Sequence, residues 1–275
     1  MVLKRSLART SIYLFLILML AVTFYPFFLM VQTSFKDLYQ FRKNPAGFAL
    51  PLHIENYPVA FQAIWRSTLN SIVVSGTTAV ATVFVASLAA YGFSRYEFPL
   101  KNVLFYAIII LLMVPAVLML SSRFILVKQF GLIDTWFALI LPYIAGGQLL
   151  LVMLIKSYMD GIPRSLFESA IIDGAHAYYI YLRIAIPLTI PILLTCTIIH
   201  FNFAWNDLIW PMLTIHRREL KTLVVVLWTN FQTEFSLDMG GLMSGYVIGS
   251  IPMILIMMSS MKYFIRGMTA GALKV

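Results

Sequence analysis

Two acidic side chains and a glycine lie close together in the segment 165–175, where their spacing suits binding rather than covalent chemistry. Ser165 and Glu168 have the spacing of a capping box, in which each side chain satisfies a free backbone N–H at a helix start. Asp173 and Gly174 form a turn signal, because glycine readily adopts the backbone conformation that ends a helix. We therefore predict a short helix, a glycine turn and a second helix. The first helix is expected to have one apolar face formed by Phe167, Ala170, Ile171 and Gly174.

Residues that would support hydrolytic or metal chemistry are absent or scattered in the sequence. The four histidines are far apart, and neither H-E-x-x-H nor a Cys/His ligand spacing occurs. G-x-S-x-G and the phosphate loop G-x-x-x-x-G-K-[ST] are also missing. The single cysteine, Cys196, excludes a disulfide within the chain. We predict no catalytic site, no metal site and no cofactor on this chain, so an ATP-driven process would need a separate ATPase subunit.

The composition is typical of an integral membrane protein. Of the 275 residues, 61% are hydrophobic and 11% are charged, and the mean hydropathy is +0.88. So little polar surface is insufficient to cover a soluble globule of this length. The formal charge of +9 comes from basic residues scattered between apolar runs. It indicates membrane-flanking positions and no nucleic-acid partner.

Gaps between charged residues predict where the chain crosses the membrane. Six windows of at least 21 residues contain no charge. A hydrocarbon core of roughly 30 Å requires about 20 apolar residues in a helix. We therefore predict an all-α polytopic membrane protein with six transmembrane helices in a single domain, residues 1–275, with Pro115 kinking the third span. The predicted spans are about 11–33, 69–92, 102–121, 135–156, 187–208 and 241–263.

The acidic segment and the residues after it resemble the EAA loop of ABC importer permeases. The residues that carry the resemblance are E-S-A-I-I-D-G-A at 168–175 and I-A-I-P-L-T-I-P at 184–191. Ser169 stands where that family usually has alanine, and it is small enough to keep the packing. The resemblance implies that residues 157–186 form a cytoplasmic coupling loop that docks on an ATPase subunit. The docking residues that it implies are Glu168, Ser169, Ala170, Asp173, Gly174 and Ala175.

Four further stretches resemble the carbohydrate (maltose-type) permeases of that family. They are A-A-Y-G-F-S-R-Y-E-F-P-L-K at 89–101, G-L-I-D-T at 131–135, W-N-D-L-I-W-P at 205–211 and F-I-R-G-M-T-A-G-A-L-K at 264–274. This resemblance implies the type I ABC importer permease fold and a sugar cargo (mono-, di- or oligosaccharide). It also implies a second permease in a heterodimer, two ATPase subunits that hold ATP and Mg, and an extracytoplasmic solute-binding protein.

Basic residues before the first span predict the orientation. Lys4, Arg5 and Arg9 favour a cytoplasmic N-terminus by the positive-inside rule. A cleavable signal peptide is disfavoured, because the charge-free run 10–35 is longer than a typical signal core. Six spans then place the C-terminus inside as well. With the resemblance, this implies a multi-pass protein of a bacterial or archaeal cell (inner) membrane.

Polar residues within the predicted spans are candidates for the translocation path. They are Gln148, Asn202 and Asn206, and a hydrogen bond between helices is the alternative role for each. Trp205 and Trp210 are interpreted as an interfacial aromatic belt at the end of the fifth span.

Two other functions stay open from the sequence alone. The EAA loop is shared by importers of non-sugar solutes, so a different cargo is one alternative. A stand-alone secondary transporter is the other, and it often has inverted repeats and paired intramembrane charges. We see no convincing repeat and few ionisable residues in the spans, which favours the importer.

Overall fold

The chain folds into helices joined by short connections. The computed structural model describes residues 2–233 and 238–272, and these contain no strand. The predicted all-α class is confirmed. The helices are α1 (Val2–Thr33), α2 (Leu38–Lys43), α3 (Asn56–Arg95), α4 (Lys101–Leu112), α5 (Leu120–Gln129), α6 (Phe137–Asp160), α7 (Ser165–Ile172), α8 (Ala177–Ile180), α9 (Ile186–Asn206), α10 (Ile209–Thr214), α11 (Leu223–Thr233) and α12 (Met239–Ala272). Single 3-10 turns lie at Ala116–Met119 and Arg218–Leu220, and a π turn lies at Tyr181–Ala185.

Within the described ranges, five helical stretches are long and apolar enough to cross a membrane. They are Ser11–Thr33, Asn56–Arg95, Phe137–Asp160, Ala177–Asn206 and Met239–Ser259. The pair Lys101–Leu112 and Ala116–Gln129 passes the same test together but is bent by 95°. This pair contains the predicted third span, so a total of six stays a prediction that requires the bent pair to count as one span.

Pro115 accounts for the break in this pair. Its backbone is extended, with φ −58° and ψ 125°. Proline has no N–H to donate to the preceding turn, and its ring disfavours a helical conformation in the residue before it. Four other prolines, Pro26, Pro142, Pro191 and Pro252, lie inside helices that continue past them. The expected kink at Pro115 is thus a break between two helices.

The chain divides into two compact units, and the first consists of residues 1–65 and 226–251. Its loop after α1 is organised by Lys36, which is 0% exposed. The Lys36 Nζ donates to the carbonyls of Asn44 (2.9 Å) and Pro45 (2.8 Å). A Cβ at Gly240 would overlap the Lys36 carbonyl, so this glycine permits α12 to approach the loop.

The second unit, residues 66–225 and 252–275, contains the candidate site. Helices α6 and α9 pack against each other, and α4 packs against α6. One apolar cluster of this unit is centred on Tyr91, Ile155 and Tyr181, and another on Leu139 and Trp210. The two clusters lie toward opposite ends of α6, and this arrangement gives the unit two separate ends.

Candidate functional site

Gly174 ends α7 in a left-handed turn, as predicted. Its φ is +80°. The N–H of Gly174 donates to the Ile171 carbonyl (3.0 Å), and the N–H of Ala175 donates to the Ala170 carbonyl (2.9 Å). These two bonds form a Schellman motif, which closes a helix and redirects the chain. Apart from its two chain neighbours, no described residue has an atom within 4 Å of a Cβ built on Gly174, so the glycine is required by its backbone conformation and not by crowding from other parts of the described chain.

The predicted capping box at Ser165 is wrong. Ser165 is already the first residue of α7, and the residue before it, Arg164, has helical φ and ψ and makes no side-chain cap. The Leu166 N–H donates to the Pro163 carbonyl at 3.4 Å. The helical turn therefore starts directly after Pro163, whose fixed φ suits a helix start. Ser165 lies too far along the helix to cap it.

One face of α7 is fixed to the end of α3. Phe167 is 5% exposed, and its ring lies under the Arg95 guanidinium, with 4.0 Å from Cζ to the ring centroid. Its centroid is 6.5 Å from that of Tyr91. The Arg95 Nη2 also donates to the carbonyls of Met159 and Ile162. A single arginine thus joins α3, the end of α6 and α7, which seats α7 in a defined position.

A second set of polar contacts ties α3 to α6 at the same end. The Ser94 hydroxyl donates to Asp160 Oδ1 (2.7 Å), and the Lys156 Nζ contacts Asp160 Oδ2 (2.7 Å). The Lys156 Nζ also lies 4.7 Å from the ring centroid of Phe105 on α4. Because three helices share these contacts, a force on one of them is transmitted to the others.

The opposite face of α7 is open. Of the predicted docking residues, Glu168, Ser169, Asp173 and Gly174 are exposed. Ala170 and Ala175 are half-buried and pack against the apolar cluster around Tyr91. The structure therefore brings the six residues together on α7 and the turn that follows it, with four of them on the outer surface.

Large apolar residues on this face were missed from the sequence. Ile171 is 61% exposed, although the predicted apolar face groups it with Phe167, which is buried. Ile172 is 85% exposed, and Leu166 and Tyr178 are also exposed. The consecutive pair Ile171-Ile172 was the signal available in the sequence. Two adjacent residues of a helix point in different directions, so both cannot face the protein core. Exposed apolar side chains rimmed by carboxylates are typical of a protein-binding surface.

Gln148 connects helices. Its Nε2 donates to the Thr82 carbonyl of α3 (3.2 Å) and to the Ile144 carbonyl of its own helix (3.0 Å). The buried Oε1 has no hydrogen-bond partner within the described part of the chain. The amide group thus has a structural contact and one unused acceptor.

Asn202 and Asn206 lie together on the exposed face of α9. The Asn206 Nδ2 donates to Asn202 Oδ1 (2.8 Å) and to its carbonyl (2.9 Å). Both side chains are exposed, as is Phe203 between them. The pair forms a small amide surface on a helix of the membrane region, and Gln148 is not part of that surface.

A close crossing of three helices near Gln148 was not anticipated. A Cβ on Gly147 of α6 would overlap the His200 ring of α9 and lie 2.6 Å from Thr82 Cγ2 of α3. The His200 ring stacks on Phe203, with centroids 5.7 Å apart. Glycine at 147 therefore sets the separation of α3, α6 and α9.

Asp207 and the tryptophans near it join helices within the unit. Asp207 Oδ2 accepts from the Tyr143 hydroxyl (2.8 Å), and the Arg123 Cζ lies 3.9 Å from the ring centroid of Trp210. Trp210 is 1% exposed and donates through Nε1 to the Ala138 carbonyl (2.9 Å), and Trp205 is buried as well. The predicted interfacial belt is wrong, because the two rings pack inside the protein.

No group of three or more His, Cys, Asp or Glu side chains that could hold a metal occurs among the described residues. The exposed face of α7 can bind another protein. The crossing at Gly147 can hold α3, α6 and α9 at short distances.

Comparison with known proteins gives several matches. A family model described as "Binding-protein-dependent transport system inner membrane component" matches residues 82–270. The probable ABC transporter permease protein YurM of Bacillus subtilis is 33% identical over 274 residues, which is 98% of this chain and 90% of that protein. The trehalose/maltose transport system permease protein MalG of Thermococcus litoralis is 30% identical over 285 residues, with 98% and 99% covered.

Two further comparisons concern an oligosaccharide system and a solved structure. The arabinooligosaccharides transport system permease protein AraQ of Bacillus subtilis is 29% identical, with 98% of this chain and 97% of that protein covered. A crystal structure of a bacterial ABC transporter involved in the import of the acidic polysaccharide alginate contains a chain with a TM-score of 0.79. It covers 94% of this chain and 97% of that chain at 21% identity. This likeness confirms the predicted fold.

Proposed function

The chain belongs to the family of binding-protein-dependent transport system inner membrane components, and on this basis we propose that it is the transmembrane permease subunit of an ATP-driven ABC importer for a sugar. Relatives named for arabinooligosaccharides, trehalose and maltose support a mono-, di- or oligosaccharide cargo. The chain itself is a transport component without a catalytic role.

The observation that carries this proposal is the two-faced construction of α7. Phe167 and Arg95 hold one face firmly, and the other face presents Glu168, Asp173 and Ile172 to the outside. A surface that is rigid, partly apolar and partly acidic suits docking to a protein of complementary shape. In the proposed function the occupant is an ATPase subunit, and two such subunits hold ATP and Mg.

Movement of the ATPase subunits would be transmitted to the membrane spans through the contacts that fix α7 to α3 and α6. A displacement of α7 acts on Phe167, and through Arg95 it acts on the ends of α3 and α6. Packed helices move as rigid bodies rather than deform. The permease would thus alternate between outward-open and inward-open states.

The exposed amides of α9 are our proposal for the part of this chain that borders the path. Asn202 and Asn206 provide donors and acceptors suited to sugar hydroxyls, and Phe203 provides an apolar ring between them. A second permease, in a heterodimer, would complete the cavity. Gln148 contributes less to the proposed path than the two asparagines, because its amide N–H donor is already bonded to backbone carbonyls.

Contacts within the second unit place its loops at two ends. Ser94 and Arg95 contact residues 159–162 at one end. Asp134 contacts residues 214–217 at the other. We propose that the end with 92–101 and 157–186 is cytoplasmic, together with both termini, and that the solute-binding protein lies on the opposite side; the basic residues before the first span and the coupling-loop resemblance support this orientation.

Isolation of the complex and a transport assay test the proposal. We would tag this chain, extract it from native membranes in mild detergent and identify its partners by mass spectrometry. The reconstituted complex is expected to contain an ATPase and a second permease, and to accumulate a labelled sugar only with ATP and the solute-binding protein. Transport by this chain alone, without ATP, would instead support a secondary transporter and refute the proposal.

A pair of variants tests the docking face directly. Ile172→Asp introduces a charge on an 85% exposed side chain of α7 and is expected to reduce recovery of the ATPase with the tagged chain. Phe48→Asp makes the same kind of change at an 81% exposed residue on the predicted outer side, and recovery should be unchanged. Equal recovery with both variants would show that α7 is not the docking element.

A further inference from the structure

An open groove lies in the first unit, between the end of α1, the short helix α2 and the start of α12. Its volume is about 330 Å³, and all but one of its lining residues are apolar. The lining includes Pro26, Leu29, Met30, Phe41, Pro45 and Met243. An apolar space takes up hydrocarbon more readily than water, because water finds too few hydrogen-bond partners in it.

The groove lies at one edge of the membrane layer. Pro26 and Met30 belong to the final third of the apolar stretch Ser11–Thr33, and Met243 lies near the beginning of the stretch Met239–Ser259. Both stretches therefore have an end at the level of the groove. Helix α2 begins shortly after the first stretch ends, so it lies at the level of the lipid headgroups. A groove at this depth is within reach of lipid acyl chains and of the phosphates above them.

Two basic side chains stand beside the groove. Arg42 and Lys43 follow Phe41 directly and precede Pro45, so residues that line the groove flank the pair along the chain. Both side chains are exposed. Neither forms an ion pair with a carboxylate among the described side chains, and no acidic residue occurs in the segment 38–54. The rim of the groove thus presents two cations without a counter-charge.

The backbone that carries this basic pair is fixed at both ends of α2. At the first end, Asp37 Oδ1 accepts from the Gln40 N–H (2.7 Å) and caps the helix. After the last residue of α2, the buried Lys36 Nζ binds the carbonyls of Asn44 and Pro45. A site whose backbone is already ordered loses little conformational freedom when it binds a ligand.

The combination of an apolar groove with two uncompensated cations indicates the class of ligand. A transmembrane helix of another subunit would fill the groove but leave both cations without a counter-charge. An acidic soluble protein would neutralise the cations but would not reach a groove at membrane depth. An anionic phospholipid matches both features, because its acyl chain suits the groove and its phosphate suits an arginine beside a lysine.

We propose that α1, α2 and the start of α12 form a binding site for one anionic phospholipid, with an acyl chain in the groove and the phosphate at Arg42 and Lys43. The inference requires only that the chain spans a membrane, and it does not depend on the cargo. A lipid bound here contacts three helices of the first unit at once. It should therefore stabilise the folded protein, as any ligand does that binds only the native state.

The test measures lipid binding by native mass spectrometry. The tagged chain, with the subunits that it retains, would be extracted in mild detergent, stripped of lipid and titrated with phosphatidylglycerol or with zwitterionic phosphatidylcholine. We expect one phosphatidylglycerol per copy of this chain to bind more tightly than phosphatidylcholine and to raise the unfolding temperature. Arg42→Gln combined with Lys43→Gln should weaken phosphatidylglycerol binding roughly 10-fold and remove the preference, since two charge-assisted contacts to phosphate are lost.

Arg217→Gln combined with Arg218→Gln is the matched control for charge. These two arginines are also adjacent and exposed, they lie outside α2, and the change of charge is the same. We expect wild-type lipid binding for this control. Because the side chains of Arg42 and Lys43 are exposed as well, both double variants should unfold at the wild-type temperature when lipid is absent.

A second pair of variants tests the groove itself. Met30→Trp fills the groove from α1 and should weaken the binding of both lipids, although the basic pair is intact. Met258→Trp adds the same bulk at a 69% exposed side chain of α12 and should leave lipid binding unchanged.

Photochemical crosslinking identifies the occupant in the native membrane. With Met30 replaced by photoreactive benzoylphenylalanine, we expect a crosslink to phospholipid. A crosslink to another membrane protein in place of lipid would show that a protein fills the groove, and it would overturn the inference. Equal phosphatidylglycerol affinity of wild type and the Arg42 and Lys43 double variant would overturn it as well. Both results leave the importer assignment intact, because that assignment does not rest on this groove.

Discussion

Replacing Gly174 by alanine changes only the conformational cost of the turn after α7. Gly174 has φ +80°, and apart from its two chain neighbours no described residue comes within 4 Å of a Cβ at this position. The added methyl group therefore meets no steric obstacle beyond the adjacent backbone. It does raise the energy of the left-handed conformation, by about 1–2 kcal/mol. A change of this size lowers the population of the intact turn relative to unravelled forms by a factor of roughly 5–30.

The loss of the turn should appear as weaker coupling to the ATPase. The Schellman bonds of Gly174 and Ala175 close the helix that bears the docking face, so an unravelled turn displaces Asp173 and the start of α8. We expect Gly174→Ala to lower the affinity of the ATPase for the permease and to lower sugar uptake in parallel. Affinity is measured with purified subunits in nanodiscs, and uptake in proteoliposomes.

Gly161→Ala is the control for this variant within the same segment. Gly161 is exposed and has φ −77°, a conformation open to any residue, so both assays should give wild-type values. Gly174→Asn should lie between wild type and Gly174→Ala, because asparagine tolerates the left-handed region better than alanine. Gly174→Trp adds bulk to the same conformational cost and should abolish uptake. Wild-type coupling in Gly174→Ala, together with a defect in Gly161→Ala, would refute the conformational argument.

Packing and charge give three further predictions. Phe167→Ala removes a buried ring under a guanidinium and should lower the free energy of unfolding by about 3–5 kcal/mol, whereas Ile172→Ala, on the exposed face, should change only ATPase affinity; equal thermal shifts would contradict this. Gly147→Ala should cost about 1–3 kcal/mol because its methyl overlaps the imidazole packed against it, and Gly146→Ala, with open space around its Cβ, should cost much less. Asp134→Asn should lower the unfolding temperature at neutral pH. Because the folded-state pKa of Asp134 is depressed, the stabilisation that it gives is present above the ordinary aspartate pKa and is lost as the pH falls through the folded-state value. The difference between wild type and Asp134→Asn is therefore expected to be constant from pH 8 to 5 and to shrink below about pH 4; a difference that shrinks above pH 5 would show that the carboxylate is not held by the N–H groups of Arg217 and His216.

The contacts that fix α7 to α3 and α6 explain why such a short helix can transmit force. Helix α7 has only eight residues and would be marginal in isolation. Phe167 and Arg95 fix it to two long helices, and the Schellman turn fixes its end. Variants that weaken these contacts should therefore lower sugar transport as variants of the docking face do. Unlike variants of the docking face, they should also lower thermal stability.

The sequence by itself determined the helical class, the approximate positions of the apolar stretches and the glycine turn. Composition and charge spacing are sufficient for the first two, because a hydrocarbon core admits only helices or closed barrels and excludes unpaired charge. The turn at Gly174 is a local property, since only the conformational freedom of glycine is involved.

Only the tertiary structure decided which residues face a partner. Ile171 and Phe167 share an apolar character, yet one is exposed and the other is buried, because burial depends on where Arg95 and Tyr91 of a distant helix lie. The helical turn that begins directly after Pro163 displaced the expected cap at Ser165. The connection between α10 and α11 has no local pattern that predicts how it is held, because the groups that bind it, Asp134, Asn70 and Ser71, come from residues about 80–150 positions away along the chain. Contacts over such distances are set by the packing of whole helices, and no local sequence pattern encodes them.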